Sequence, residues 1–171
     1  MVLGLPKVGL GLWKATKEGE ARSAVATALR CGYKLLDGAA AYGNEAEVGE
    51  ALAEAIDARA VSRDDVWVVS KLFNTAHVWR SETSRPSAAL DKTLTDLRLQ
   101  YVDLYLLHWP IAIEQADLKS VVGLRLPDGT PNPALNIEFE FIATWREMLK
   151  LKASGKARHI DDATHNYQSQ D

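Results

Sequence analysis

The sequence has little of several features that mark particular protein classes, and each shortage removes a class. Its 171 residues include one cysteine, Cys31, which excludes a disulfide framework and favours a reducing compartment, the cytoplasm. No apolar run approaches the roughly 20 residues that a membrane-spanning helix requires. Lys and Arg total 20 against 23 Asp and Glu, and the net charge of −3 provides no basic field for nucleic acid. His77, His159 and His165 lack metal-ligand spacing, so a metal site is not expected.

What remains is the composition of one globular domain. Hydrophobic residues make up 47% of the chain. A chain of this length buries roughly 70% of its unfolded surface. The opening MVLGLPKVGLGLW has no cationic segment and is interrupted by Pro6 and several glycines, so a signal peptide is not expected. We therefore predict a single domain over residues 1–171 that binds neither nucleic acid nor a membrane.

Strand-like runs and helix-like stripes alternate along the chain. Near-continuous apolar runs at 8–12, 33–36, 66–69 and 101–107 predict buried strands. Apolar residues at a period of 3.6 predict four helices. Their stripes are Ala21, Ala24, Val25, Ala28 and Leu29; Val48, Ala51, Leu52, Ala55 and Ile56; Leu90, Thr93, Leu94 and Leu97; and Phe141, Ile142, Trp145, Met148 and Leu149. This alternation predicts an α/β fold with parallel strands, in which chemistry collects at the carboxyl ends of the strands.

Four polar side chains stand at or just after the predicted strand ends. Asp37 ends one apolar run and Tyr42 follows five residues later, before a turn of small residues that leads into a helix. Lys71 ends VWVVSK, and His108 ends YVDLYLLH. Taken singly, each has a structural explanation: a turn acid, a rim tyrosine, a lysine that extends to solvent, and a hydrogen-bonded core histidine. Their shared position at strand ends favours a common site.

These residues resemble the aldo-keto reductases, a family of (β/α)8 barrels that reduce carbonyl compounds with NADPH. The resemblance rests on GLGLW, LDGAAAYGNEAEVG, SKLFNTAH and LQYVDLYLLHWP, and it covers most of residues 5–160. It implies a partial (β/α)8 barrel of about four to five βα units. It also implies a catalytic tetrad and an aromatic substrate mouth. The implied tetrad is Asp37, Tyr42, Lys71 and His108, and the implied mouth is Trp13, Phe73 and Trp109.

The implied tetrad defines a reaction. Tyr42 acts as a general acid on an aldehyde or ketone, the Lys71 ammonium favours its phenolate, and His108 orients the carbonyl. Asp37 pairs with Lys71, and both residues are expected to contact NADPH. Two alternatives remain open at this level. In the first, the same residues serve a cofactor-independent isomerase, dehydratase or cyclase. In the second, the chain is a catalytically silent half-barrel that binds a partner chain.

The chain departs from the family pattern in three places. A complete barrel has about 250 residues, so the phosphate-binding loops after the seventh and eighth strands are missing from these 171. The family's Gly-Val-Ser-Asn run is replaced by DDATHNYQSQD after GKARHI, which predicts a degraded fifth strand. Gly38 stands where the family usually has Ser or Thr, and a hydroxyl beside Asp37 is thereby lost.

Two further expectations concern the loop and the strand edges. The segment 111–136 contains LPDGTPNP and predicts a long irregular loop, either a lid or selectivity loop over the site or a mobile connection. Four strands leave the edges of strands one and four open, which predicts a homodimer that closes eight strands about a twofold axis. The segment ARHIDDATH is then displaced or acts as a plug. The alternative is a monomer whose edge is covered by the tail, residues 161–171.

Overall fold

The fold of the chain is an open, twisted sheet with helices on one side. The computed structural model describes residues 4–78, 82–113, 125–126, 128–136 and 140–162. Its strands are β1 (Leu10–Gly11), β2 (Leu35–Asp37), β3 (Trp67–Leu72), β4 (Val102–Leu107), β5 (Ala112–Ile113), β6 (Leu135–Asn136) and β7 (Ala157–Asp162). Its helices are α1 (Glu20–Arg30), α2 (Glu45–Asp57), α3 (Arg85–Leu97) and α4 (Phe141–Ala153).

Five of the strands form the main sheet, in the order β1-β2-β3-β4-β7. Every neighbouring pair is parallel. The remaining two strands, β5 and β6, pair antiparallel as a small separate ribbon. Three adjacent strands each contribute a fully buried side chain to the core between the sheet and the helices. These are Leu36 of β2, Val68 of β3 and Tyr105 of β4. The predicted α/β class and the partial, unclosed barrel are therefore confirmed.

The segment after α4 forms a complete fifth strand. β7 pairs with β4 from Val102 opposite Ala157 to Leu107 opposite Asp162. The expectation that residues 157–162 are degraded or displaced is wrong, because the segment pairs with β4 and packs against the rest of the fold. Ala157 is fully buried, and Arg158 forms an ion pair of 3.4 Å with Asp103 of β4. The edge of β4 is thus covered, and in the described sheet the open edges belong to β1 and β7.

The first three helices bury the predicted stripes, but α4 is rotated. Thr144 and Leu151 are buried together with Met148. The reason is a polar contact that an apolar pattern does not register: the Thr144 hydroxyl accepts a hydrogen bond of 2.9 Å from the Val78 amide. This bond turns the Thr144 face toward the sheet. The predicted stripe is accordingly wrong at three positions that are exposed, namely Phe141, Ile142 and Leu149.

The predicted loop is only partly covered by the described residues. The β5–β6 ribbon closes its base, and Arg125 bridges to Pro131 around a turn in which the Thr130 amide donates to Asp128. Residues 114–124, 127 and 137–139 lie outside the described part, as do 163–171 of the predicted tail. The lid prediction falls mostly on those residues. Among the helices that the structure describes, none has the length and apolar character that a bilayer crossing demands.

A buried carboxyl group between the sheet and the helices was missed from the sequence. Glu45, the first residue of α2, accepts hydrogen bonds from Ser70 of β3 at 2.6 Å and from Thr93 of α3 at 3.0 Å. Burial raises the pKa of Glu45, although the two hydroxyl donors oppose that shift. Glu45 therefore joins three elements on the helix side of the sheet.

Replacement of Gly49 by alanine is expected to destabilise the fold. A Cβ at Gly49 in α2 would lie 2.5 Å from the carbonyl oxygen of Asp96 and 2.6 Å from the carbonyl carbon of Leu97, both in the α3 backbone. Gly49→Ala should therefore lower the free energy of unfolding by about 1–2 kcal/mol, despite alanine's better helix propensity. Urea denaturation measures this change. Gly11→Ala is the control, because a Cβ at Gly11 meets nothing within 4 Å. Equal stability of the two variants would contradict this close approach.

Candidate active site

Lys71 is the centre of a buried hydrogen-bond cluster at the carboxyl end of β3. Its ammonium Nζ donates to Asp37 Oδ1 at 2.6 Å and to the Gly38 carbonyl at 2.8 Å. The third contact is with the Tyr42 hydroxyl at 3.4 Å. The Lys71 side chain is 8% exposed and that of Asp37 is 44% exposed. A buried cation needs such partners, and these three contacts use all the donors that an ammonium group has.

Tyr42 reaches this cluster from a short 3₁₀ helix, Ala40–Tyr42, which follows β2. Gly43 comes next at φ +70, a left-handed conformation that lets the chain turn into α2. The Tyr42 ring lies edge-on to the His108 ring, with centroids 5.9 Å apart, and 5.1 Å from the Lys71 Nζ. Tyr42 therefore lies close to both Lys71 and His108, and the structure brings these predicted site residues together.

His108 follows β4 directly, and its amide donates to the Leu72 carbonyl at 3.1 Å. Burial, and after it the nearby Lys71 charge, lowers the pKa of its imidazole from 6.5 to about 4, and Asp37 opposes both effects. The ring is therefore neutral near pH 7. Its Nδ1 is buried and has no hydrogen-bond partner among the described residues. A neutral ring of this kind can donate one hydrogen bond without being a charged acid.

These side chains border an open pocket of about 390 Å³. That volume is within the usual range for small-molecule sites, roughly 300–1,000 Å³. The surface is mainly apolar, and no described residue between 112 and 136 contributes to it. The lining residues are Trp13, Ala41, Tyr42, Phe73, Asn74, His108 and Trp109. The structure thus brings the three predicted aromatic residues to the same mouth as Tyr42 and His108, with Asp37 and Lys71 behind them.

Two asparagines at the site were missed from the sequence. Asn44 donates from Nδ2 to the carbonyls of Leu12 at 3.0 Å and Ala15 at 3.1 Å, which ties down the loop that carries Trp13. Asn74 contributes directly to the pocket. Each follows a predicted site residue by one or two positions, and that proximity was the available signal.

The glycine at position 38, where the family usually has Ser or Thr, does not disturb the lysine cluster. The backbone carbonyl of Gly38, which every residue type has, is the group that accepts from Lys71. A Cβ at this position would lie 3.4 Å from the carbonyl oxygen of Val69. The loss of a hydroxyl expected from the sequence therefore leaves the three contacts of Lys71 in place.

Comparison with known proteins assigns the family. The model of the Aldo/keto reductase family matches residues 1–166. The chain belongs to the aldo/keto reductase family. It is 41% identical over 165 residues to aldose reductase B of Dictyostelium discoideum, covering 96% of this chain and 51% of that protein. It is also 41% identical over 158 residues to D-galacturonate reductase of Hypocrea jecorina, covering 92% and 48%.

Solved aldo/keto reductases share its fold. Aldose reductase from Schistosoma japonicum superimposes with a TM-score of 0.80 at 36% identity, covering 92% of this chain and 49% of that one. A Bombyx mori aldo-keto reductase in complex with NADP gives a TM-score of 0.73 at 36% identity, covering 92% and 46%. The chain therefore spans about half the length of the relatives it matches.

The neutral state of His108 can be observed directly. We expect an NMR titration of its ring to give a midpoint of about 4, below the ordinary value of 6.5. Because the folded state favours the neutral ring, the stability that His108 contributes is present above pH 6.5 and is lost as the pH falls toward 4. Lys71→Met should raise the pKa but leave it below 6.5, because burial is the larger cause. A midpoint near 6.5 in the unsubstituted protein would show a solvated ring.

Proposed function

We propose that this chain reduces an aldehyde or ketone with NADPH, and that Tyr42 is the proton donor. The observation that carries the proposal is the position of the Tyr42 hydroxyl, 3.4 Å from Lys71 Nζ and beside the His108 ring at the mouth of an apolar pocket. Relatives named as reductases of aldoses and of D-galacturonate support a carbonyl substrate.

The residues divide the work of carbonyl reduction. NADPH, when bound, supplies the hydride. The Tyr42 hydroxyl gives its proton to the carbonyl oxygen as negative charge develops there, and the Lys71 ammonium stabilises the phenolate that remains. Asp37 holds that ammonium in place through the 2.6 Å ion pair. The neutral ring of His108 donates a hydrogen bond that orients the carbonyl oxygen.

The site fits the reactive end of a nicotinamide cofactor. A pocket of about 390 Å³ has room for a nicotinamide ring beside a small carbonyl compound, and its aromatic walls suit flat rings. Asp37 is 44% exposed although it is paired with Lys71, so its carboxylate can accept further hydrogen bonds from sugar hydroxyls. Asp37 and Lys71 are the residues that would hold this end of the cofactor. The NADP complex of the Bombyx mori relative supports the choice.

Two measurements on the full chain test the proposal. Fluorescence titration should show NADPH binding below about 1 mM, the upper end of ordinary KM values. NADPH absorbance should then fall when D-glyceraldehyde is added, and the rate should depend on Tyr42. If NADPH does not bind in this range, reduction by this chain is refuted.

A reaction without a cofactor is the second candidate. It is favoured by the fact that the tetrad and the described pocket come entirely from residues 13–109, in a chain that spans about half the length of its relatives. Isomerisation, dehydration or cyclisation of a carbonyl compound needs the Tyr42 acid and the His108 donor but no hydride. Turnover of a carbonyl compound that depends on Tyr42 without NADPH identifies this reaction. A Tyr42→Phe variant with full activity contradicts both candidates. A chain that turns over no carbonyl compound, with or without NADPH, leaves the half-barrel that binds a partner chain.

We further propose that the chain forms a homodimer in the cytoplasm. The described sheet has two open edges, and β7 presents six residues along one of them. Exposed strand edges favour pairing with another chain. The sequence predicted that two copies with four strands each close an eight-stranded barrel, but each described sheet has five strands. We therefore expect the two copies to pair along β1 or β7. Sedimentation at micromolar concentration should give twice the chain mass, and a mass near 18.8 kDa would contradict the dimer. The exposed, free thiol of Cys31 suits a reducing compartment.

A further inference from the structure

The loop between β1 and α1 carries one wall of the pocket. Trp13 lies in this loop and lines the pocket, but 69% of the residue is exposed. Little of its ring is therefore packed against the protein, and side-chain packing alone does not fix where the ring lies. The position of the Trp13 ring depends on the backbone of the loop. Whatever holds that backbone also sets the distance from this wall to the Tyr42 hydroxyl.

The backbone at Trp13 forms a tight turn in a conformation that its sequence does not favour. The Ala15 amide donates to the Leu12 carbonyl at 3.3 Å, which closes the turn over Trp13 and Lys14. Lys14 has φ +68, in the left-handed region. Glycine adopts this region freely, whereas the Cβ of a lysine is strained there. Such a conformation persists only where surrounding contacts impose it.

Asn44, just before α2, supplies contacts of this kind. Its Nδ2 donates to the carbonyls at both ends of the turn, Leu12 at 3.0 Å and Ala15 at 3.1 Å. Both protons of the amide group are thus used on the turn. Asn44 is 6% exposed, so water has little access to these two bonds. The strained turn is therefore held from outside, by a residue about thirty positions later in the chain.

The first turn of α2 also holds the other end of the loop. The loop ends at Gly19, which has no side chain to cap α1. The Glu47 carboxylate accepts instead from the amides of Gly19 at 2.9 Å, Ala21 at 3.1 Å and Arg22 at 3.3 Å. The Gly19 amide is the main cause that lowers the pKa of Glu47, so the carboxylate is charged at neutral pH. A negative charge is favourable at the start of a helix.

We infer that Asn44 is a positioning residue for the substrate, which it places by holding the strained turn at Lys14 and with it the Trp13 wall of the pocket. Tyr42 precedes Asn44 by two positions, so one short segment carries the proton donor and holds the wall opposite it. Asn44 is not among the residues that line the described pocket, and it acts through Trp13. This inference rests on the proposed carbonyl reduction and adds to it a residue that determines substrate affinity.

Asn44→Ser should weaken substrate binding and leave the chemical step almost unchanged. Serine is also favourable at the start of a helix, so α2 should fold as before. Its single hydroxyl donor cannot serve two carbonyls. The Trp13 ring contacts the substrate before and during proton transfer alike, and the loss of such a contact raises KM without lowering kcat. With benzaldehyde and saturating NADPH, KM should rise about 10-fold and kcat should stay within about threefold.

Glycine at position 14 tests the strain separately. Lys14→Gly reduces the need for the two outside bonds, because glycine adopts φ +68 without strain. In the Asn44→Ser variant it should lower the raised KM about threefold or more, beyond the change that Lys14→Gly causes alone. This double-mutant cycle cancels the effect of the lost lysine ammonium group. A KM that Lys14→Gly changes equally with and without Asn44 would contradict the strained turn.

The matched control is Glu54→Gln. It breaks the ion pair that Glu54 of α2 forms with Arg22 of α1, and both side chains of this pair are exposed. The variant thus removes another contact between the two helices and leaves both bonds of Asn44 in place. Neither KM nor kcat should change appreciably. A rise in KM equal to that of Asn44→Ser would show that any loosening of α1 from α2 has this effect, and would count against the specific role of Asn44.

A spectroscopic readout does not depend on turnover. In protein labelled with 5-fluorotryptophan, the Trp13 signal, identified by its loss in Trp13→Phe, should shift or broaden in Asn44→Ser. The signals of the other four tryptophans should stay in place. If neither benzaldehyde nor D-glyceraldehyde is reduced, the proposed function fails, while a change confined to Trp13 still supports the role of Asn44. An unchanged Trp13 signal, a change in all five signals, or a loss confined to kcat overturns the inference.

Discussion

Tyr42→Phe is expected to lower kcat for carbonyl reduction about 10³-fold, within the range that a positioned general acid contributes. The change removes one oxygen atom, the group that lies 3.4 Å from Lys71 Nζ. The ring itself packs against the hydrophobic core and is retained, so the fold should be preserved. With no proton donor at this position, the alkoxide that forms during reduction has no acid beside it. Single-turnover kinetics with NADPH in excess measure the loss.

The control for this prediction is Tyr33→Phe. Tyr33 is 37% exposed and lies outside the described pocket, so the rate should be close to that of the unsubstituted protein. Both variants should show nearly the same thermal midpoint, because Tyr42→Phe loses only the long, partly buried contact of 3.4 Å with Lys71 Nζ. A loss of less than about tenfold in Tyr42→Phe would be smaller than the contribution of a positioned general acid. Another group would then have to supply the proton.

Lys71→Met is expected to lower kcat about 10²-fold or more, through the phenolate rather than through the fold. Methionine fills the volume of the buried stem but has no positive charge. The partner Asp37 keeps 44% of its side chain exposed and can be solvated after the ion pair is lost. Single-turnover kinetics with NADPH in excess measure the loss.

The matched control is Lys34→Met. Lys34 is exposed and forms a 3.8 Å ion pair with Asp65, which is also exposed. Exposed pairs of this kind contribute less than about 1 kcal/mol, so Lys34→Met should change neither rate nor stability appreciably. Equal losses in the two variants would point to a general effect of net charge and would count against a specific role of the Lys71 ammonium.

The sequence predicted the position of the site better than it predicted the packing around it. Asp37, Lys71 and His108 each end or follow a long apolar run, and parallel strands bring such ends to one edge. The rotation of α4 was not predictable in this way, because the Thr144 hydroxyl bonds to Val78, 66 positions earlier. A polar residue on an otherwise apolar face shows no periodic signal until its distant partner is known.

Two other features depended on tertiary context for the same reason. The fifth strand was expected to be degraded because the sequence after GKARHI departs from the family pattern, but the β4 edge supplies all the pairing that β7 needs. Asn74 is of a residue type common in turns, and nothing in the sequence shows that its amide has no partner among the described residues. Burial of that amide arises only after the segment is held by α3 and α4.

The order of strands in the sheet has a consequence for biosynthesis. The spatial order of the main sheet is also the order in which its strands leave the ribosome, so each new strand adds at one growing edge and displaces nothing. Translation proceeds at about 5–20 residues per second. All four tetrad residues have been synthesised once His108 is made, seconds before β7 emerges. The nascent chain can therefore assemble the tetrad while α4 is still inside the exit tunnel, and β7 then docks onto a preformed β4 edge.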